Sequence, residues 1–192
     1  RTLVARLEAP PTQGSLRVTG GGEQDGRIYV AESWPGTPSL REQVAAAGPM
    51  PADAVVAMLQ SVATALDACH QAGSFHPWLA PDNIFLNGTS VALGGQFWTV
   101  LLPMVREAAP SFQWPAGAYV APEVLNGSLP TARSESYASA ALALFGLSGG
   151  DPAPGAPIAI NAPAPLVQSL RQSLSPTPDD RCSCVKAIVV EV

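Results

Sequence analysis

The side chains able to do chemistry are gathered in few places. His70-Gln71-Ala72-Gly73-Ser74-Phe75-His76 carries both histidines of the chain and leads on to Asp82 and Asn83, so acid–base or metal chemistry has to be sought there first. Cys182-Ser183-Cys184 has the spacing of half a metal site, but no second Cys/His pair lies near it, and a structural centre needs four such ligands. No metal site is predicted. The three cysteines, with Cys69 the remaining one, are an odd number in a chain too large to need disulfide staples, which points to a reducing compartment with the cytoplasm as default. Gly20-Gly21-Gly22-Glu23-Gln24-Asp25-Gly26 has the look of a phosphate-cradling loop, yet it lacks the following helix and a nearby lysine. Lys186 is the only lysine in the chain.

The rest of the sequence must position these groups. With 192 residues, 47% of them hydrophobic, the chain can bury one core and reads as one domain. A net charge of -5 and the lack of any Lys/Arg cluster argue against nucleic-acid binding, which relies on a basic stripe. Apolar runs such as 138–147 fall short of the roughly 20 residues a membrane-spanning helix needs, so no membrane contact is expected of this segment itself. Nothing at Arg1 resembles a signal peptide, and residues 1–8 read as the end of a helix already under way, which implies further chain upstream.

Strands are predicted at 15–19 and 27–33, joined through a glycine-rich loop at 20–26. Trp34-Pro35-Gly36 breaks the second strand, and 39–47 reads as a short helix. From Pro51 to Gly73 runs the clearest helix, with Val55, Met58, Leu59, Val62, Leu66 and Cys69 at three- and four-residue steps making one core-facing stripe. A hairpin follows, 83–86 and 90–93 around Asn87-Gly88. The proline-rich stretch 102–122 is expected to be irregular, and helices are expected at 136–147, at 166–174 and beyond Arg181.

Four segments in this order resemble the protein-kinase superfamily, of the bacterial eukaryotic-like serine/threonine type. Arg27-Ile28-Tyr29-Val30-Ala31-Glu32-Ser33-Trp34-Pro35-Gly36 looks like the strand that enters the interlobe hinge, with Ser39-Leu40-Arg41 opening the next helix. His70 to Leu86, reading HQAGSFHPWLAPDNIFL, follows the family's H-x-x-G-x-x-H-R-D-L-K-P-D-N-I-L-L. Ala118-Tyr119-Val120-Ala121-Pro122-Glu123 is similar to the Y-x-A-P-E that closes the activation segment. Pro176-Thr177-Pro178-Asp179-Asp180-Arg181 is similar to the family's P-x-x-R. The resemblance implies an α+β, protein-kinase-like fold with a partial N-lobe at 1–33, a hinge at 34–38 and a mainly helical C-lobe at 39–192.

It also implies that the chemistry is degenerate. Phosphoryl transfer needs a lysine on the nucleotide phosphates, acidic and amide ligands for Mg²⁺, and an aspartate for the attacking hydroxyl. In this alignment the catalytic aspartate falls on Trp78, its arginine on Pro77 and the lysine of the loop on Ala80. Val91-Ala92-Leu93-Gly94-Gly95-Gln96-Phe97 occupies the place of V-x-L-x-D-F-G, so the metal-binding aspartate becomes Gly95, which offers a hard cation no carboxylate. Asn83 remains as a possible metal-ligand remnant. Lys186 lies after every motif and cannot hold phosphates from an N-lobe strand. By contrast Glu123 and Arg181 match the ion pair that ties the activation segment to the last helices, and Glu135 stands where the family has an aspartate opening its central helix. The short spacing from Glu135 to Arg181 implies a trimmed substrate-docking region.

The expected function is therefore that of a pseudokinase: a catalytically inactive interaction or regulatory scaffold in bacterial signalling, with no bound cofactor and with protein partners. In a sharper version an active kinase phosphorylates Thr177 and a phosphothreonine-reading domain docks there. Thr99, the one threonine of the activation-segment match, is not expected to act as an ordering phosphosite, since the arginine that would receive it is Pro77. The chain is expected in the cytoplasm, or as the intracellular domain of a larger membrane protein. A nucleotide-binding atypical enzyme on the same fold is the alternative, with Asn83 and His76 as its polar equipment. A third reading is a sensor or structural module whose cleft is filled by Trp78, Gln96, Phe97 and Trp98.

Overall fold

The computed structural model describes residues 13–25, 27–108, 112–115, 117–153, 155 and 160–189. The helix end expected at 1–8 lies outside them. The described chain is an α+β arrangement in which two small antiparallel sheets stand beside a set of helices.

β1 (Val18–Gln24) pairs with β2 (Arg27–Glu32) in a ribbon with a register shift between Val18 and Gly20. The glycine-rich stretch expected as a loop is thus mostly strand, with Asp25 (φ 54) following it as a turn residue. Three glycines are poor strand formers alone. Here cross-strand pairing overrides propensity, and Tyr29 lies over its partner Gly22, where an added Cβ would come within 2.9 Å of the phenol oxygen.

α1 (Leu40–Ala47) starts at the N-cap Ser39, whose hydroxyl and the Glu42 carboxylate satisfy each other's backbone N–H groups as a capping box. α2 (Ala52–Gln71) buries Val55, Met58, Leu59, Val62, Leu66 and Cys69, the stripe read from the sequence. By length and composition α2 could reach across a bilayer, but that stripe is its core face. The hairpin β3 (Ile84–Asn87) and β4 (Ser90–Leu93) turns at Gly88, whose φ of 59 suits a glycine at the first central position. Residues 14–16 run beside β4, with Leu93 N–H donating to Gly14 O at 2.7 Å and Leu16 N–H to Leu93 O at 2.8 Å.

Where the prolines predict irregular chain, an amphipathic helix α3 (Trp98–Ala108) forms with Pro103 inside it. One backbone hydrogen bond is lost there. Burial of Leu101 and Leu102 favours the helix nonetheless, because tertiary packing and not propensity decides most helices. A single turn, α4 (Pro122–Leu125), leads to α5 (Ala132–Ser148), capped by Thr131 and ended by Gly149 in the left-handed conformation. α5 is buried nearly all round and contacts α2, α6 (Ala164–Ser173) and α7 (Val185–Val189). A second, smaller cluster joins Leu102, Trp114, Val120, Val124 and Tyr137.

Candidate functional site

The loop after α2 is hung on the first turn of α5. Glu135, its side chain 0% exposed, accepts the His76 N–H at 2.6 Å with one oxygen and contacts His70 Nε2 at 2.6 Å with the other. Burial pushes the Glu135 carboxyl up to about 7, against the pull of these donors. The His76 ring is buried between Gly94 O, at 3.0 Å from Nε2, and the Trp78 N–H, at 3.3 Å from Nδ1. That pattern calls for a neutral imidazole protonated on Nε2. Burial lowers its pKa to about 4, so His76 is a packing element and a poor proton carrier at neutral pH.

Pro77, Leu79 and Ala80 are buried, and Trp78 turns its indole into an aromatic cluster. Its ring centroid lies 6.2 Å from Trp98 and 6.0 Å from Trp114, and Trp98 and Trp114 are 5.6 Å apart. Phe97 stacks on Trp98 at 5.7 Å, and Phe112 packs against both Trp98 and Trp114. These rings fill the ground beside the loop. Trp78 Nε1 is buried with no acceptor among the described residues.

Asn83 donates through Nδ2 to Trp78 O at 3.2 Å and faces Gly95, where an added Cβ would lie 3.2 Å from that nitrogen. Gly95 has φ 81, a conformation strained for most side chains. Its N–H meets both carboxylate oxygens of Glu32 at 3.0 Å. Gln96 points the other way, donating to Ser74 Oγ at 2.8 Å and Thr99 Oγ1 at 3.2 Å. Thr99 in turn donates to Phe75 O, which ties the start of α3 to the loop. Asp82 is held by Arg41 Nε at 2.9 Å, while Arg41 Nη2 reaches Asp151. Among the described residues no group of three or more His, Cys, Asp or Glu side chains could hold a metal ion.

Farther from the loop, Arg181 holds Glu123 with two parallel bonds of 2.7 and 2.8 Å. The Arg181 side chain is 0% exposed, also donates to Ser175 O and Pro176 O, and lies over the Tyr137 ring. Burial works against the Glu123 charge, but the guanidinium and a backbone N–H outweigh it and hold the carboxyl below its ordinary value. Arg133 donates to Pro178 O, Asp179 O and Arg181 O. Thr177 sits exposed in the loop these two arginines brace; its N–H donates to Ser175 Oγ and its carbonyl accepts from the Asp180 N–H.

The chain is 29% identical over 161 residues to the serine/threonine-protein kinase PknL of Mycobacterium tuberculosis, covering 78% of this chain and 39% of PknL. It is 29% identical over 136 residues to PknE of the same organism, covering 70% of this chain and 24% of PknE. The chain is similar to mycobacterial serine/threonine-protein kinases. No family model matches it. This homology supports the protein-kinase superfamily, and the chain spans about two fifths of PknL and a quarter of PknE.

Sequence reasoning missed two residues of this region. Glu32 falls within the Arg27–Gly36 match but has no role of its own there, so its reach to Gly95 is visible only in three dimensions. Arg106, near the end of α3, donates to Val124 O, Gly127 O and Ser128 O and so fastens α3 to the turn after α4. The unexpected helix hid it.

Proposed function

We propose that this chain is a catalytically inactive domain of the protein-kinase type, a pseudokinase that acts as an interaction or regulatory scaffold in bacterial signalling. The observation that carries the reading is Trp78. In the alignment it replaces the aspartate that orients the attacking hydroxyl, and its ring is packed against Trp98 and Trp114 instead of facing a substrate. Gly95, where the metal-binding carboxylate is expected, contributes only its backbone. The Glu123–Arg181 pair supports retention of the kinase-like scaffold, because a partner removed from such a pair leaves a buried charge behind.

The working partners are proteins: an active kinase that modifies Thr177, and a phosphothreonine-reading domain that then docks in the cytoplasm. Exposure of Thr177 in a braced loop supports this assignment. Thr99 fits the role poorly, since its hydroxyl is half-buried and bonded to Phe75 O.

The test uses the full chain with radiolabelled ATP and Mg²⁺ or Mn²⁺. No phosphate transfer to itself or to a generic protein substrate is expected; transfer that disappears in Asn83→Ala refutes the reading. Incubation with an active bacterial serine/threonine kinase should place phosphate on Thr177 and create binding to a phosphothreonine-reading domain, both lost in Thr177→Val. A phosphate-free Thr177 removes the docking part of the proposal and leaves the inactive domain.

A further inference from the structure

Several polar groups around the Gly94–Gly95 corner are engaged from within the chain. His76 Nε2 donates to Gly94 O, Asn83 faces Gly95 and donates to Trp78 O, and Glu32 takes the Gly95 N–H with both oxygens. The last contact joins residues from two separate parts of the fold, the end of β2 and the turn after β4. It is also tightly enclosed. A Cβ added to Gly94 would lie 3.2 Å from Phe85 Cε2 and 3.4 Å from both Glu32 Oε2 and Leu16 Cδ1, so ring, carboxylate and leucine already meet around the corner. Burial raises the Glu32 carboxyl above its ordinary value while the Gly95 N–H opposes the shift. When ionised, this half-buried carboxylate repels another anion at short range.

We propose that Glu32 is an intramolecular occupant of this corner, filling the space beside Gly94 and Gly95 with its own carboxylate and excluding anionic ligands such as nucleoside triphosphates by volume and by charge. The inference rests on the inactive-domain reading and supplies its physical device: a contact that keeps the Gly94–Gly95 corner closed to the ligand a kinase would use. Glu32→Ala removes both the volume and the charge. Glu32→Gln keeps the shape and an acceptor for Gly95 but removes the charge.

The experiment titrates the full chain and both variants with a nucleoside triphosphate plus Mn²⁺ by calorimetry, and follows hydrogen exchange at the Gly95 amide as a separate readout. Wild type should show no saturable binding. In Glu32→Ala, exchange at Gly95 should quicken by about tenfold or more as the closed corner opens, and the triphosphate should bind. Glu32→Gln should keep slow exchange and bind more weakly than Glu32→Ala. Unchanged exchange in Glu32→Ala overturns the proposal, as does a triphosphate that binds wild type and Glu32→Ala equally or binds neither. If Glu32→Ala does not fold, triphosphate binding to Glu32→Gln no better than to wild type overturns the charge exclusion. Phosphate transfer by wild type would instead refute the inactive-domain reading, so the two failures are distinguishable.

Discussion

Substituting Glu135 by glutamine should reveal two opposed pH dependences that hide each other in the wild-type protein. Burial raises the Glu135 carboxyl from 4.5 to about 7 in the folded chain. Stability from a raised carboxyl is fully present below the unfolded value and is lost as pH rises through the folded one. At 1.36 kcal/mol per unit the loss between pH 4.5 and 7 comes to about 3 kcal/mol. His76 works in the opposite sense. Its pKa is lowered from 6.5 to about 4, so its share of stability is present above pH 6.5 and is lost as pH falls toward 4, again by about 3 kcal/mol.

Across roughly pH 4.5 to 6.5 the two slopes have similar size and opposite sign, and wild-type stability should be nearly flat there from these groups. Glu135→Gln keeps an acceptor for the His76 N–H but cannot titrate. Relative to wild type, its stability should therefore gain about 3 kcal/mol between pH 4.5 and 7, leaving the His76 slope uncompensated. Urea denaturation of both proteins at pH 4.5, 5.5, 6.5 and 7.5 gives the curves, and their difference isolates Glu135 because all other groups cancel. Parallel profiles for the two proteins would refute the argument, showing that Glu135 is as ionised in the folded chain as in the unfolded one.

Other expectations are simpler. Glu123→Ala should lower stability by about 3 to 5 kcal/mol, since it strands the fully buried Arg181 charge, and a thermal melt of the variant measures it. A melt near wild type would remove the pair from the scaffold. Trp78→Asp places a carboxylate among Trp98 and Trp114, and should destabilise by about 3 kcal/mol or more without creating phosphate transfer. Denaturant titration and the radiolabel assay check the two halves separately. Gly14→Ala should be costly, because Gly14 has φ 85 and a Cβ there would come within 2.7 Å of Ala65 Cβ; a denaturation midpoint equal to wild type would contradict that packing.

What the sequence reveals depends on how local the signal is. The stripe from Val55 to Cys69 and the Asn87-Gly88 signal announce α2 and the hairpin because periodicity and turn chemistry act over a few residues, although Asn87 itself pairs with Ser90 and the turn centres one residue later. The Ser39–Glu42 box marks a helix start for the same reason. Gly20, Gly21 and Gly22 mislead: their strand exists through pairing with Tyr29 and its neighbours, not through their own preference. Pro103 misleads in the opposite direction, concealing a helix stabilised by Leu101 and Leu102 against the rest of the fold. At the candidate site, Pro77, Trp78, Ala80 and Gly95 are legible as letters. The ring cluster around Trp78 and the grip of Glu32 on Gly95 are not, because both depend on residues brought together from distant parts of the chain.

The ring cluster also gives this protein an optical signature. Of its four tryptophans, Trp78, Trp98 and Trp114 lie close enough to exchange excitation, whereas Trp34 is 73% exposed beside Phe85. The folded protein should thus emit as two populations, a shielded trio at shorter wavelength and a solvated Trp34 that acrylamide quenches first. Loosening of α3 would redden the trio while leaving Trp34 unchanged, so the state of that one helix can be followed by colour in the unlabelled protein.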